Sequence, residues 1–116
     1  MNKIFLEPIS RLPKADIPIQ GLEAFLSQGA KHQILFMEFS QDVFLPEHSH
    51  ERQWGVILEG KIELTIAGTN HVFVKGDRYF IPKGIKHSAR IYAGYADMTF
   101  FDQFDRYQEM KNERMV

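Results

Sequence analysis

Pro46-Glu47-His48-Ser49-His50-Glu51-Arg52-Gln53 is the stretch on which the reading of this chain turns. Side chains at i and i+2 of an extended strand share a face, so His48 and His50 present two imidazoles to one side, a spacing that suits a single cation. In a chain with five histidines such a pair is equally compatible with a polar surface strand. The residues C-terminal to it shift the balance: an apolar run to Gly60, then Gly76-Asp77, then Pro82-Lys83-Gly84, and then a third imidazole at His87. Gln53 shares its parity with Gly55 and Ile57, so if Ile57 lies inside, the Gln53 amide and the bare backbone of Gly55 face inside too. Gly55 then either leaves room for a ligand beside the histidines or marks a bulge or twist of the strand, and Trp54 points outward.

Outward from that stretch, Ile34–Phe39, Val43–Leu45, Val56–Leu58, Ile62–Ile66, His71–Val74, Tyr79–Ile81, His87–Tyr92 and Met98–Phe104 are apolar runs of strand length, and turn residues punctuate them. Lys61-Ile62-Glu63-Leu64-Thr65-Ile66 alternates polar and apolar, as a strand with one wet face does. Many short strands with frequent turns predict an all-β sandwich or small barrel. Pro8, Pro13 and Pro18 predict an extended N-terminal arm over residues 1–20. Leu22–Leu26 has the composition of a short helix, and the polar tail, 105–116, that of a terminal helix or a frayed end. His32 and His71 fit no pattern and read as surface positions.

With 116 residues, 44% of them hydrophobic, the chain reads as one globular domain, 1–116, large enough to fold without staples. It has no Cys, so a metal would be held by His, carboxylate or amide groups. A net charge of -1 offers no basic field for nucleic acid. The first apolar run, Ile4-Phe5-Leu6, is too short for a signal-peptide core, so no membrane association and a cytoplasmic location are expected.

The last run adds chemistry. If Met98 and Phe100 fill the interior, the same face carries Asp102, Phe104 and Arg106 to the mouth of the barrel. A buried carboxylate is costly unless paired or used, which marks Asp102 as a proton shuttle and Arg106 as a clamp for a substrate carboxylate. The other reading is a plain Asp102–Arg106 surface pair.

Two motifs in this order resemble those of single-domain cupins, small jelly-roll barrels also described as double-stranded β-helices. The family's second motif is matched at every spacing by Gly76, Pro82, Gly84 and His87, with Ile91 in place of its Asn; the first is matched by His48, His50 and Gly60, with Asp42 at its leading Gly and Gln53 where its Glu belongs. The resemblance covers about residues 34–104 and implies a metal site of His48, His50, Gln53 and His87 for one divalent ion, with Fe, Mn, Ni, Co and Zn all compatible. The ending around Asp102, Phe104 and Arg106 is similar to that of the cupins that linearise unsaturated uronates in pectin and alginate breakdown. The resemblance therefore implies an enzyme acting on a small oxygenated or anionic, sugar-acid-like molecule by metal-assisted isomerisation, tautomerisation or lyase chemistry. The alternatives are an iron-dependent dioxygenase and a non-catalytic module that binds a metal or small ligand. A homodimer is expected from the arm, the outward Trp54 and the tendency of cupins to pair through one sheet.

Overall fold

The structure is a computed structural model that describes residues 3–111. Among them, each of the eight apolar runs from Ile34 onward contributes a strand and a further strand precedes them: β1 (Leu22–Gln28), β2 (Gln33–Phe39), β3 (Val43–His48), β4 (Gln53–Glu59), β5 (Lys61–Ile66), β6 (Thr69–Val74), β7 (Arg78–Ile81), β8 (His87–Ile91) and β9 (Ala96–Phe101). They form two antiparallel sheets, one of order β1-β2-β9-β4-β7 and one of order β3-β8-β5-β6, the jelly-roll arrangement that the motifs implied. In β5 the expected alternation holds, with Ile62 and Leu64 buried between the sheets and Lys61 exposed. Ile66 pairs with Thr69, so the β5–β6 hairpin has a two-residue loop of Ala67 and Gly68, at φ 49° and 83°. Such a loop needs the left-handed region at both positions, which is why one of them is glycine. Ile57, Ile62, Leu64, Ile81, Ile91 and Tyr95 close the space between the sheets.

Leu22–Leu26 is not helical. It lies in β1, in register with β2 from Leu22 opposite Phe39 to Gln28 opposite Gln33. Both faces of this strand are covered: Ala24 and Leu26 pack inward with Leu35, while Phe25 packs outward against Phe5 of the arm. A strand buried on both sides loses its alternation and imitates a helical run. The tail is also extended as far as it is described. The Asp16 N–H donates to the Gln108 carbonyl at 2.8 Å and the Met110 N–H to the Lys14 carbonyl at 2.7 Å, so the tail lies along the arm. Residues 112–116 lie outside the described part. The arm in turn follows β1, with the Leu26 N–H donating to the Pro13 carbonyl at 2.8 Å, and contains a single 3-10 turn at Ile9–Arg11.

The parity of β9 is the reverse of the one expected. Asp97, Thr99 and Phe101 are buried on the inward face, in register with β2 and β4 such that Thr99 sits between Leu35 and Gly55, while Met98 and Phe100 face outward together with Ala96, which is buried under Phe5 and Phe25. The outer face of this sheet is apolar as well, carrying Phe36, Val56 and Leu58, so hydrophobic character does not separate the two sides of β9.

Candidate metal centre

Three backbone segments bring the imidazoles together. His48 ends β3 and pairs with His87, the first residue of β8, after a register irregularity between Leu45 and His48. His50 lies in the connection to β4, where the Gly84 N–H donates to the His50 carbonyl at 2.9 Å and fastens the Pro82-Lys83-Gly84 turn beside it. The ligand nitrogens of His48, His50 and His87 all lie within 4.8 Å of one another. Each Nδ1 sits on a backbone carbonyl: His48 on Pro46 at 2.8 Å, His50 on Glu51 at 2.7 Å and His87 on Ile85 at 2.9 Å. A carbonyl only accepts, so Nδ1 carries the proton and each neutral ring keeps its lone pair on Nε2. The Nε2 atoms of His50 and His87 are 3.1 Å apart. Two lone pairs facing each other at that distance repel unless a cation or a shared proton lies between them, and a divalent transition ion fits this donor set.

Burial lowers the pKa of His50 to about 4 despite the bond to Glu51, with the positive charge of Arg106 and the neighbouring imidazoles adding to the effect. Burial also lowers His87. Both rings are therefore held in the neutral form that ligation requires.

Gln53 enters from β4 and its Nε2 donates to the Tyr79 hydroxyl at 2.9 Å, which leaves Oε1 as the atom it can offer a cation. Gly55 has a different use from the one expected of it. A Cβ there would lie 2.5 Å from ring atoms of Tyr79, so the missing side chain makes room for the Tyr79 ring rather than for a ligand.

A cavity of about 290 Å³ opens beside the cluster, lined by His48, Gln53, His87, Asp97, Arg106 and Tyr107 among its polar residues. Of the three residues expected to do chemistry on the last strand, only Arg106 reaches it. Asp102 turns away, its carboxylate accepting from Arg52 Nε at 2.8 Å at the surface, and Phe104 is 58% exposed. The reason is the inverted parity of β9: the inward face ends at Phe101, which packs edge-on against His50 at 5.5 Å, and Asp102 continues the outward face. Asp102 does fasten the segment after His50, since its own N–H donates to the Arg52 carbonyl at 2.9 Å. The surface-pair reading also has the wrong partner, Arg52 in place of Arg106.

Arg106 lies over the rings of Phe101 and Tyr107, 5.3 and 4.9 Å from their centroids, and its buried Nε has no hydrogen-bond partner among the described residues. Its place depends on Gln33, a buried amide that donates to the Tyr107 carbonyl at 2.7 Å and accepts from the Tyr107 N–H at 3.0 Å. Asp97 was not singled out from the sequence. It is 2% exposed, takes a hydrogen bond from the Tyr95 hydroxyl at 2.5 Å on Oδ2, and has no partner on Oδ1 among the described residues. Burial pushes its pKa up to about 7. Asp97 and Thr99 are polar residues at alternate positions between apolar ones, and that alternation was the available signal. His32 stacks on Phe100 at 4.8 Å and His71 on Phe73 at 5.9 Å, both away from the cluster.

Among the described residues no helix is long and apolar enough to cross a membrane. The fold is similar to that of an RmlC-like cupin from Shewanella frigidimarina, at 19% identity and a TM-score of 0.72 over 99% of this chain and 97% of that one. It is also similar to KdgF from a Halomonas species, at 15% identity and a TM-score of 0.68 over the full length of both chains. Oxalate decarboxylase of Bacillus subtilis matches at 19% identity and a TM-score of 0.67, over 83% of this chain and 28% of that one. A comparison of the sequence with curated proteins returns no match. The cupin domain profile matches residues 36–103, the part of the chain that runs from β2 past β9 and carries all three histidines, and the chain belongs to the cupin family.

Proposed function

We propose that this cupin is a metal-dependent enzyme that isomerises, tautomerises or cleaves a small oxygenated, anionic molecule by moving a proton, with His48, His50, His87 and the Gln53 Oε1 as the metal ligands. The observation that carries this reading is the convergence of three imidazoles beside a cavity that also holds an arginine without an acidic partner among the described residues. When bound, a divalent ion of the Fe, Mn, Ni, Co or Zn type supplies Lewis-acid character toward an oxygen of the ligand. Arg106 binds and orients a carboxylate, its guanidinium kept in place by Phe101, Tyr107 and the Gln33 anchor. The carboxyl available to hold or release a proton inside the cavity is Asp97 at Oδ1, a role that the last strand gives to Asp97 in place of Asp102. Tyr107 and, from the arm, Ile17 and Ile19 add apolar surface to the cavity lining.

Element analysis of freshly purified protein, then assays with unsaturated uronates and with diketones using the metal it carries, tests the reading. Proton exchange or product formation lost in Asp97→Asn, with metal content unchanged, is the expected result. Oxygen uptake with Fe(II) that is absent with Zn(II) makes the protein a dioxygenase instead; ligand binding without turnover makes it a binding module.

We also propose a homodimer formed through the outer face of the five-stranded sheet. Trp54 and Phe80 are directly opposed on β4 and β7 and are 38% and 52% exposed, next to Phe100 of β9. Neighbouring exposed aromatics on a sheet face are what an isologous contact buries.

A further inference from the structure

The cavity that holds Arg106 also has a long apolar wall, and its open polar positions are few. Met37, Phe39, Ile62, Leu64, Ile81 and Ile91 line it from both sheets and have no hydrogen-bonding group in their side chains. The Tyr79 hydroxyl already receives the Gln53 amide, and the Tyr95 hydroxyl already donates to Asp97. Apart from the metal-facing groups, the polar side chains of the lining are Glu47, Tyr79, Asp97, Arg106 and Tyr107, and of their atoms Arg106 Nε and Asp97 Oδ1 are buried with no partner among the described residues.

We infer that the ligand is a small carboxylic acid with a hydrocarbon body and one further keto, enol or hydroxyl oxygen, and not a polyhydroxylated sugar acid. This rests on the reading of the site as one for a small anion, and it narrows that reading to a chemical class. Volume does not make the choice, because about 290 Å³ admits either kind of molecule. Hydrogen bonding does. A sugar acid brings several hydroxyls, each of which gives up water, and one left against an aliphatic wall without a partner weakens binding by roughly tenfold or more. A hydrocarbon body gains from the same wall, roughly threefold to fourfold for each buried methylene. The carboxylate meets Arg106 against the rings of Phe101 and Tyr107, whose low polarity strengthens the attraction. Asp97 meets the remaining oxygen, and because burial keeps it protonated toward neutral pH it does so without setting a second negative charge against the ligand. Glu47, which also lines the cavity, is exposed and solvent-screened.

Calorimetric titration of the zinc-loaded, full-length protein with 4-methyl-2-oxopentanoate, phenylpyruvate and D-galacturonate tests the inference. The expected result is that at least one keto acid binds ten times or more tightly than galacturonate. Arg106→Gln should weaken that keto acid by at least tenfold with zinc content unchanged, and Met37→Gln, which sets an amide into the partly exposed part of the wall, should narrow the preference. Galacturonate binding as well as the keto acids, and depending on Arg106, overturns the ligand class while the small-anion reading stands. Keto-acid binding indifferent to Arg106→Gln reports chelation of the zinc alone and overturns the inference. Absence of binding by all three acids to protein carrying stoichiometric zinc overturns both.

Discussion

His50 and His87 hold their ring nitrogens 3.1 Å apart, and only a cation or a shared proton makes that approach favourable. His87→Ala is therefore expected to lose most of the bound metal, Gln53→Ala to lose less because water replaces an amide oxygen, and His71→Ala, on exposed β6, to lose none; element analysis of the three purified variants checks this. Asp97 yields a second expectation. Its pKa is raised from 3.8 to about 7 on folding, mainly by burial, so between those values the unfolded chain has released a proton that the folded chain keeps. Stability must then fall as pH rises from about 4 to about 7 and stay reduced above that range. Asp97→Asn removes this slope and raises stability at pH 8 by at most about 4 kcal/mol, the worth of about three pKa units, as read from urea unfolding at pH 5 and pH 8. At Gly55 the space is already filled by Tyr79, so Gly55→Ala costs about 1–3 kcal/mol by overpacking, and thermal unfolding measures it.

At the scale of elements, β9 and the tail after it decide what the cavity contains. The strand has apolar residues on both faces, because the outer face of its sheet is covered in part by Phe5 and its neighbours from the arm. Only the ladder with β2 and β4 selects Asp97, Thr99 and Phe101 for the interior. Past Phe101 the chain is no longer held by a sheet, and Arg106 reaches the cavity because Gln33, at the start of β2, binds both backbone groups of Tyr107. Gln33→Leu removes both bonds and leaves the Tyr107 groups unpaired, with an expected loss of about 2 kcal/mol and faster amide exchange over residues 105–111, measured by hydrogen-exchange mass spectrometry. Metal bound at the histidines should persist in that variant, since β3 and β8 are untouched.

Among the described residues, the two sheets, the arm and the tail line a cavity beside the histidine cluster, and the outer aromatic face around Trp54 and Phe80 is exposed. If that face pairs two copies, sedimentation at micromolar concentration gives twice the chain mass of 13.5 kDa, and Trp54→Arg returns it to the single-chain value. Bound metal stabilises the folded state by mass action, so removing it with a chelator should lower the melting temperature by an amount that grows with the metal concentration first present.

The sequence by itself determined the all-β class, every strand from β2 to β9 and the three histidines of the cluster. These rest on local facts: strand-length apolar runs between turn residues, two imidazoles one strand repeat apart, and the spacing of Gly76, Pro82, Gly84 and His87. Tertiary structure decided the rest. β1 looks helical until the arm covers its second face, and Asp102 looks inward until the ladder sets the parity of β9. The expected ligand space at Gly55 belongs to Tyr79, a residue that reaches it from a neighbouring strand. Asp97 acquires its raised pKa and Arg106 its place in the cavity from residues far away in the chain, and no local pattern of side chains records which distant groups will bury or anchor them.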